Sequence, residues 1–311
     1  MVKYDTATMP YIDSSAALRD GDFEALRASA NVEGYLFFRK LLPDEDILRV
    51  RNDLLAIVER HGWRRPGLDP LDGSIDVDAL DRVSESAMRT DIGVSLAAYH
   101  DVQKLESFHA LPHHPALLEL YRGLFDRDVL VLAQKIARMI TAHHAMTATP
   151  PHQDFPHIQG SRNTWTCWFP LGDCPRSMGA LTVLHGSHRA GYMPVQPAQG
   201  AGGIAVQLCP GEEQWVEGDF EPGDVLTFPC FTVHKALPSR FKQQIRLSMD
   251  VRYQPANEPI NAKSLEPHCD LTWEEIYTDW QHDELKYYWR RSSPRLAPTD
   301  ASLLQPGRRI C

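Results

Sequence analysis

Residues 245–253 alternate between apolar and polar side chains without a break, and this feature restricts the fold more than any other in the chain. One face carries apolar residues only: Ile245, Leu247, Met249, Val251 and Tyr253. The other face carries polar residues: Arg246, Ser248, Asp250 and Arg252. Because successive side chains of a β-strand point to opposite faces, the pattern predicts a strand between two different environments. In a central barrel strand the polar face would line the interior and would need a purpose there; the alternative is a face that contacts solvent.

Several other short runs are typical of strands and are separated by turn residues. Residues 129–132 and 180–184 are largely aliphatic, residues 164–169 are aromatic and β-branched, and residues 225–228 follow a Pro-Gly-Asp turn. Many short strands with turn signals between them predict a β-sandwich or barrel.

The first third of the chain has helical patterns instead. Residues 14–30 are rich in Ala and Leu and predict one helix. Residues 43–62 predict a second, with a proline and three acidic residues in its first turn and a glycine at its end. Residues 115–125 predict a third, whereas residues 64–81 are rich in Pro, Gly and Asp and predict a loop. After Pro255 the chain contains too many Trp and Tyr residues to be disordered.

Composition excludes several classes of partner. The chain has 41 acidic and 32 basic side chains and a formal net charge of −9, so nucleic acid is an unfavourable partner. No apolar stretch is long enough to cross a membrane, and the first residues show no secretory signal. The six cysteines include no CxxC pair. They predict neither a disulfide framework nor a zinc site and favour a reduced, cytoplasmic compartment.

His152 and Asp154 form an HxD pattern, and His234 follows eighty residues later, just beyond the strand predicted at 225–228. Residues i and i+2 of a strand share a face, so the first two can bind one ion, and His234 can return from a distant strand of a barrel. Two histidines and one carboxylate form the facial set of non-haem Fe(II) oxygenases, which leaves three metal positions open. Taken singly, these residues are better explained by a turn with a hydrogen-bonded aspartate and by a core histidine. The metal interpretation depends on the whole set, including Arg246 twelve residues after His234.

The HxD pattern alone is a weak signal, because His268-Cys269-Asp270 is a second example. Only His282 follows it, across a predicted helix, and too few strands remain to complete a site. We therefore expect His268 and Asp270 to be polar surface residues.

At these residues the chain resembles the phytanoyl-CoA dioxygenase family of Fe(II)- and 2-oxoglutarate-dependent oxygenases. The resemblance covers about residues 31–255 and is carried by residues 34–38, 42–45, 168–173, 179–188 and 223–234. Residues 179–188 read Gly-Ala-Leu-Thr-Val-Leu-His-Gly-Ser-His and are similar to the family motif G-x-L-x-x-x-P-G-S-H. His185 stands where the family usually has proline. Because this is a turn position, the departure affects no ligand.

The resemblance implies a mainly β fold with flanking helices, a double-stranded β-helix or jelly roll related to the cupins. We expect one domain over residues 1–311, although the length alone suggests two. Its N-terminal helical part would cover about residues 1–127, its jelly-roll core about 128–255 and its aromatic C-terminal extension about 256–311.

The resemblance also implies which residues bind the cofactors. Fe(II) would be held by His152, Asp154 and His234. The cosubstrate 2-oxoglutarate would chelate the iron at one end and meet Arg246 at the other, because a planar guanidinium suits a carboxylate. Further residues expected to contact the cosubstrate are Ser248, Thr166 and Gln134.

The implied enzyme is a dioxygenase that hydroxylates, or otherwise oxidises, an unactivated C–H bond of a small molecule, while 2-oxoglutarate and O2 become succinate and CO2. Two alternatives stay open: a cupin-like protein that binds a metal or a small acid without turnover, and a non-haem iron oxygenase that does not use 2-oxoglutarate. Arg246 argues against both, since neither needs an anchor for a keto acid.

By analogy with the family, the substrate would be a specialised metabolite or amino-acid derivative, and a homodimer is one option for the assembly. Asp250 and Arg252 are expected to form a local ion pair.

Overall fold

A computed structural model gives the structure of the chain and describes residues 8–89, 91–141, 147–211, 213–307 and 309. The helices are α1 (Ser15–Arg19), α2 (Phe23–Glu33), α3 (Asp44–Arg60), α4 (Val77–Asp81), α5 (Leu96–Gln103), α6 (Glu106–Ala110), α7 (Pro115–Phe125), α8 (Phe155–Ile158) and α9 (Trp273–Ile276). The strands are β1 (Leu36–Phe38), β2 (Met88–Arg89), β3 (Val94–Ser95), β4 (Val129–Val131), β5 (Ile136–Ile140), β6 (Trp165–Pro170), β7 (Leu181–Leu184), β8 (Val195–Pro197), β9 (Ile204–Val206), β10 (Trp215–Val216), β11 (Val225–Pro229), β12 (His234–Ala236), β13 (Arg246–Pro255), β14 (Ile260–Asn261) and β15 (Leu296–Ala297).

Two antiparallel sheets form the β core. The larger sheet has the strand order β1-β11-β6-β13-β4, and β5 also pairs with β13. The smaller sheet has the order β10-β7-β12. Apolar side chains of both sheets meet in one cluster, among them Phe37, Trp168 and Phe228 from the larger sheet and Val183 and Val216 from the smaller. The expected mainly β jelly roll with flanking helices is confirmed.

Strand β13 separates two environments, as its alternating sequence predicts. Every residue of the strand is buried. Its apolar residues, such as Met249 and Val251, pack in the same cluster as Leu54 of α3 and Tyr121 of α7. Arg246, Asp250 and Arg252 face the opposite way and line a cavity between the two sheets. Burial of each large apolar side chain stabilises the fold by about 1.5–3 kcal/mol, so the helical layer anchors the sheet from outside.

The N-terminal helices differ from the sequence-based expectation in two places. Residues 14–30 form two helices, because Gly21 adopts a left-handed backbone (φ +68°) and the Asp22 side chain then accepts a hydrogen bond from the Ala25 N–H to begin α2. The segment 64–81 is not a loop throughout, since α4 begins after Asp76, whose side chain accepts from the Ala79 N–H. The predictions of α3 and α7 are confirmed.

The aromatic C-terminal extension packs against the barrel. Trp273, Tyr277, Trp280 and Trp289 form a buried cluster with aliphatic residues of β4 and the turn that follows it. Two of these tryptophans donate hydrogen bonds from their indole N–H groups to backbone carbonyls. Trp273 donates to Leu265 O at 2.8 Å, and Trp280 donates to Lys104 O at 3.0 Å. The extension therefore contributes to the core of the fold.

Lys135 lies beneath this aromatic extension and is fully buried, at 1% exposure. Its ammonium Nζ donates to Ala133 O at 3.3 Å and to the Tyr288 hydroxyl at 3.2 Å, and it lies 5.1 Å from the centre of the Tyr288 ring. Within the described residues no carboxylate comes within ion-pair distance of it. Burial lowers the pKa of Lys135 to about 7. His113, which contacts the same ring, has its pKa lowered to about 3 by burial and by Lys135.

The cysteines and the helices bear on the expected compartment. Four of the five cysteines in the described part of the chain are free thiols, whereas Cys209 is disulfide-bonded. The reduced, cytoplasmic compartment stays a prediction. None of the helices in the described ranges has both the length and the apolar character needed to cross a bilayer.

Candidate active site

His152 and His234 are brought together by the backbone. The two residues form an isolated antiparallel bridge in which each N–H donates to the other's carbonyl, at 3.0 and 2.9 Å. Their ring centres are 4.1 Å apart, and both side chains are buried. His234 begins β12 of the smaller sheet, so two histidines 82 positions apart in sequence lie side by side in the barrel wall.

Both imidazoles are prepared to act as neutral ligands through Nε2. The Nδ1 atom of His152 lies 2.8 Å from Pro150 O, and that of His234 lies 3.1 Å from Thr232 O. A carbonyl can only accept, so Nδ1 carries the hydrogen in each ring and Nε2 keeps its lone pair. Burial and the neighbouring imidazole lower the pKa of His152 to about 3, and burial also lowers the pKa of His234. Both shifts favour the neutral imidazole.

Asp154 completes the group from the turn that precedes α8. Its Oδ1 lies 3.8 Å from Nε2 of each histidine. This exceeds a hydrogen bond, yet one ion can bridge it, because two metal–ligand bonds of about 2.1 Å span up to about 4.2 Å. Burial alone would raise the pKa of Asp154, but the Arg252 guanidinium and the hydrogen bond from Thr166 outweigh burial and hold the pKa of the carboxyl below its usual range.

The donor set fits a non-haem Fe(II) ion. The ligand atoms of His152, Asp154 and His234 all lie within 4.8 Å of one another, and the three residues are buried or nearly so. Two neutral imidazoles and one carboxylate on one side of an ion leave its other positions open. The orientation of both Nε2 atoms toward one carboxylate oxygen is the observation that supports this fit.

Arg246 lies in the same cavity and is the expected anchor for the cosubstrate. It is 4% exposed, its Nη1 donates to Gly179 O at 2.9 Å, and its guanidinium carbon lies 5.8 Å from the centre of the Trp168 ring. Its Nε has no hydrogen-bond partner, and among the described residues no carboxylate pairs with it. Ser248, on the same strand face, is fully buried and its hydroxyl also has no partner. Arg246 therefore offers an unused donor in the cavity of the metal ligands, and Ser248 offers a second one on the same strand face.

The structure places the other two predicted cosubstrate residues differently. Thr166 lines the cavity, but its hydroxyl donates to Oδ2 of Asp154. Gln134 is outside the cavity: its amide nitrogen lies 3.3 Å from Lys263 O and 3.5 Å from Glu266 O, on the C-terminal side of the barrel. The assignment of Gln134 to the cosubstrate pocket is not supported by this position.

Two residues of the polar face of β13 have partners that the sequence did not indicate. The expected ion pair between Asp250 and Arg252 is wrong. Asp250 accepts from Arg138 Nε at 2.8 Å, across the β5–β13 pairing, whereas Arg252 Nη2 lies 3.2 Å from Asp154 Oδ2. The alternating sequence predicted that both residues lie on the polar face of β13. Their partners depend on which strands lie beside β13, and the sequence pattern does not contain that information.

The second HxD segment is partly buried, contrary to expectation. His268 Nδ1 lies 2.9 Å from the Tyr99 hydroxyl, whereas Asp270 is exposed. His268 and Cys269 do come near Asp91, with ligand atoms within 4.8 Å of one another. However, Arg89 contacts both oxygens of Asp91, at 3.1 and 2.9 Å, and nearby guanidinium groups disfavour a second cation.

His185, which departs from the family motif, pairs with the N-terminal helical layer. Its Nε2 lies 3.0 Å from Glu33 Oε2. The residue is remote from the cavity lining, so the departure leaves the candidate ligands unchanged.

A jelly roll that presents two neutral imidazoles and one carboxylate inside its barrel defines a non-haem iron oxygenase by architecture and donor set. The model of the phytanoyl-CoA dioxygenase (PhyH) family matches residues 30–246. The chain therefore belongs to that family and is an Fe(II)- and 2-oxoglutarate-dependent oxygenase.

Relatives and solved structures agree with this placement. The 1-deoxypentalenic acid 11-beta-hydroxylase of Streptomyces exfoliatus is 28% identical over 270 residues, which cover 83% of this chain and 89% of that protein. The peroxisomal phytanoyl-CoA dioxygenase of Homo sapiens is 23% identical over 212 residues, which cover 65% and 59% of the two chains. The α-ketoglutarate-dependent epimerase SnoN from nogalamycin biosynthesis has a similar fold, with a TM-score of 0.53, 20% identity and coverage of 78% and 86%.

Proposed function

We propose that His152, Asp154 and His234 bind the Fe(II) ion, that Arg246 binds the distal carboxylate of 2-oxoglutarate, and that the enzyme hydroxylates an unactivated C–H bond of a small metabolite. The observation that carries the proposal is the guanidinium of Arg246. It is buried in the cavity of the three ligands and has no carboxylate partner among the described residues.

Arg246 cannot escape the cost of burial by losing its proton. A guanidinium stays protonated in a protein, and removal of such a charge from water costs several kcal/mol unless an anion compensates it. One carbonyl, at 2.9 Å, cannot neutralise the charge. A dicarboxylic acid that enters the cavity can supply the missing anion and accept two parallel N–H bonds.

Fe(II) and 2-oxoglutarate, when both are bound, would let O2 act as the oxidant: one of its oxygen atoms would enter the C–H bond as a hydroxyl group and the other would enter succinate, with release of CO2. The protein residues supply geometry and exclusion of water. Asp154 and the two histidines would hold the ion from one side and leave its remaining positions open. Arg246 and Ser248 would bind the far end of the acid and so orient its keto end toward the ion.

The relatives support a small-molecule substrate. The Streptomyces relative is named for hydroxylation of 1-deoxypentalenic acid, and it matches 83% of this chain. SnoN has been solved in complex with Fe3+, α-ketoglutarate and nogalamycin RO. We therefore propose hydroxylation of a specialised metabolite as the reaction and expect no macromolecular partner at the site.

The test is an anaerobic titration of the purified protein with Fe(II) and then 2-oxoglutarate, followed by visible absorption. We expect a charge-transfer band of the chelate at one equivalent. His234→Ala should abolish the band by removing a ligand, and Arg246→Ala should shift its appearance to much higher 2-oxoglutarate concentration. Arg240→Ala is the matched control, because Arg240 is an exposed arginine in the turn before β13.

The outcomes separate the alternatives. Fe(II) binding without a 2-oxoglutarate band would favour an oxygenase of another cosubstrate. A band without succinate formation in air, over a panel of small-molecule substrates, would favour a binding protein. An unchanged 2-oxoglutarate affinity in Arg246→Ala would overturn the assignment of the anchor.

A further inference from the structure

One oxygen of Asp154 is already occupied by two protein donors. The Thr166 hydroxyl and the Arg252 guanidinium both donate to Oδ2, the latter at 3.2 Å. The other oxygen, Oδ1, is the atom that lies 3.8 Å from Nε2 of both histidines. The two carboxylate oxygens therefore have different roles: Oδ2 accepts hydrogen bonds from the protein, and Oδ1 faces the two histidines.

The register of the larger sheet produces this division. Arg252 of β13 lies directly opposite Thr166 of β6 in the antiparallel pairing. Side chains at directly opposed positions share one face and have Cβ atoms about 5 Å apart. Both residues are almost fully buried, at 6% and 2% exposure. The cross-strand pair thus directs two hydrogen-bond donors from the same face of the sheet toward Asp154.

The backbone of Asp154 is held independently of this pair. Its carbonyl accepts from the N–H groups of His157 and Ile158 in α8, and the next N–H, of Phe155, donates to Cys230 O at 3.0 Å. With the main chain fixed, the remaining freedom of Asp154 is rotation of its carboxylate. The two donors on Oδ2 remove that freedom.

Arg252 forms its ion pair with Asp154, because the other carboxylate on the same strand face is already paired. Asp250, two residues earlier on the same face, is engaged by Arg138 at 2.8 Å. Asp154 is the carboxylate within ion-pair distance of Arg252 among the described residues. Because Asp250 is paired with Arg138, the ion pair of Arg252 is with Asp154.

We propose that Thr166 and Arg252 are positioning residues that restrict Asp154 to a single metal bond through Oδ1, which keeps three positions of the metal open. The inference rests on the proposed function, because it requires the metal at this triad. A carboxylate can bind an ion through one or both oxygens. Two donors on Oδ2 occupy the lone pairs that a second bond would need, and partners of this kind tune metal affinity by about 10–100-fold.

The test measures metal binding without cosubstrate, by anaerobic titration of the protein with Fe(II) or Co(II). Thr166→Val and Arg252→Met should each weaken metal affinity about 10–100-fold. Thr166→Ser and Arg252→Lys keep a donor and should restore most of it. The double variant Thr166→Val/Arg252→Met should lose less than the product of the two single losses, because both act on one oxygen.

Thr182→Val is the matched control. Thr182 is a buried strand threonine whose hydroxyl donates to Val216 O at 2.8 Å, away from Asp154. It should lose stability in urea as Thr166→Val does, yet bind metal like the wild type. The visible spectrum of the Co(II) form should change in Thr166→Val and stay unchanged in Thr182→Val.

The results also separate this inference from the proposed function. If the wild type binds metal and loses it in His234→Ala, while Thr166→Val and Arg252→Met remain within twofold of the wild type, the positioning role is overturned and the triad stands. If the wild type and His234→Ala bind alike, the triad itself is overturned. Equal losses in Thr182→Val and Thr166→Val would also overturn the inference, since they would reflect a structural effect.

Discussion

Two buried cations, Arg246 and Lys135, occupy different regions of the molecule and have opposite consequences. They are 4% and 1% exposed, and neither has a carboxylate within ion-pair distance in the described part of the chain. Arg246 lies in an open cavity beside the metal ligands. Lys135 lies beneath the aromatic extension, where two carbonyls and the Tyr288 hydroxyl accept from its ammonium.

The difference is whether the charge can be given up. Burial lowers the pKa of Lys135 to about 7, so the amine can lose its proton near neutral pH and remain without an anion. A guanidinium has no such escape. A buried arginine without a carboxylate partner therefore indicates a missing anionic ligand, whereas a buried lysine in apolar surroundings does not.

The largest expected effect comes from a permanent charge at the lysine position. Lys135→Arg should lower the free energy of unfolding by about 3–5 kcal/mol, because the guanidinium stays charged where no anion is available. Lys135→Met, which has similar length and no charge, is the control and should be at least as stable as the wild type. Urea unfolding at pH 7 measures both. Equal stability of Lys135→Arg and Lys135→Met would contradict the comparison.

A second prediction concerns pH. The folded pKa of Lys135 is about 7, below the value of about 10.4 in an unfolded chain, so between these values the unfolded state binds more protons. Stability from this residue should therefore rise with pH above 7, by at most about 1.4 kcal/mol per unit, and be constant below 7. Cysteines titrate in the same range with the opposite sign. The difference between wild type and Lys135→Met isolates the lysine, and its size should shrink from pH 7 to 8.5.

The third prediction exchanges the other cation. Arg246→Lys keeps a positive charge at neutral pH only if an anion is bound, and it loses the planar pair of N–H groups. We expect the 2-oxoglutarate dissociation constant to rise roughly 10–100-fold, with little change in Fe(II) affinity. Isothermal titration of the Fe(II) protein under argon measures this, with Arg240→Lys as control. A variant that binds 2-oxoglutarate like the wild type would show that the anion site lies elsewhere.

The smallest effect is expected at Ser248. Its hydroxyl is buried without a partner, so Ser248→Ala should change the free energy of unfolding by no more than about 0.5 kcal/mol. Thr182→Val removes a hydroxyl that has a partner and should cost about 1 kcal/mol. If Ser248 contacts the cosubstrate, its variant should bind 2-oxoglutarate about 2–10-fold more weakly. A loss of stability equal to that of Thr182→Val would indicate a structural hydroxyl instead.

The sequence predicts the elements better than it predicts the pairing of side chains. Alternation identified β13 and its polar face, because period two depends on local geometry only. The partners of Thr166 and Arg252 depend on the register of β6 against β13, which no local pattern contains. Lys135 gave no signal either, since its burial depends on aromatic residues from the far end of the chain.

Local errors had local causes. The split between α1 and α2 follows from Gly21, which was present in the sequence but was included in one helix. The helix α4 could have been predicted from Asp76, because aspartate is a favoured N-cap residue and its side chain accepts a hydrogen bond from the Ala79 N–H. Gln134 was placed in the pocket from its proximity in sequence to the HxD, although its side chain turns to the C-terminal extension.

The two faces of β13 also determine how this strand can be aligned during folding. A slip of one residue would turn Arg246, Asp250 and Arg252 into the apolar layer beneath α3 and α7, and would turn the aliphatic side chains toward the metal ligands. Each misplaced charge would be buried without a partner, so alternative alignments are strongly disfavoured. The residues that serve the chemistry therefore also select the native alignment of the central strand.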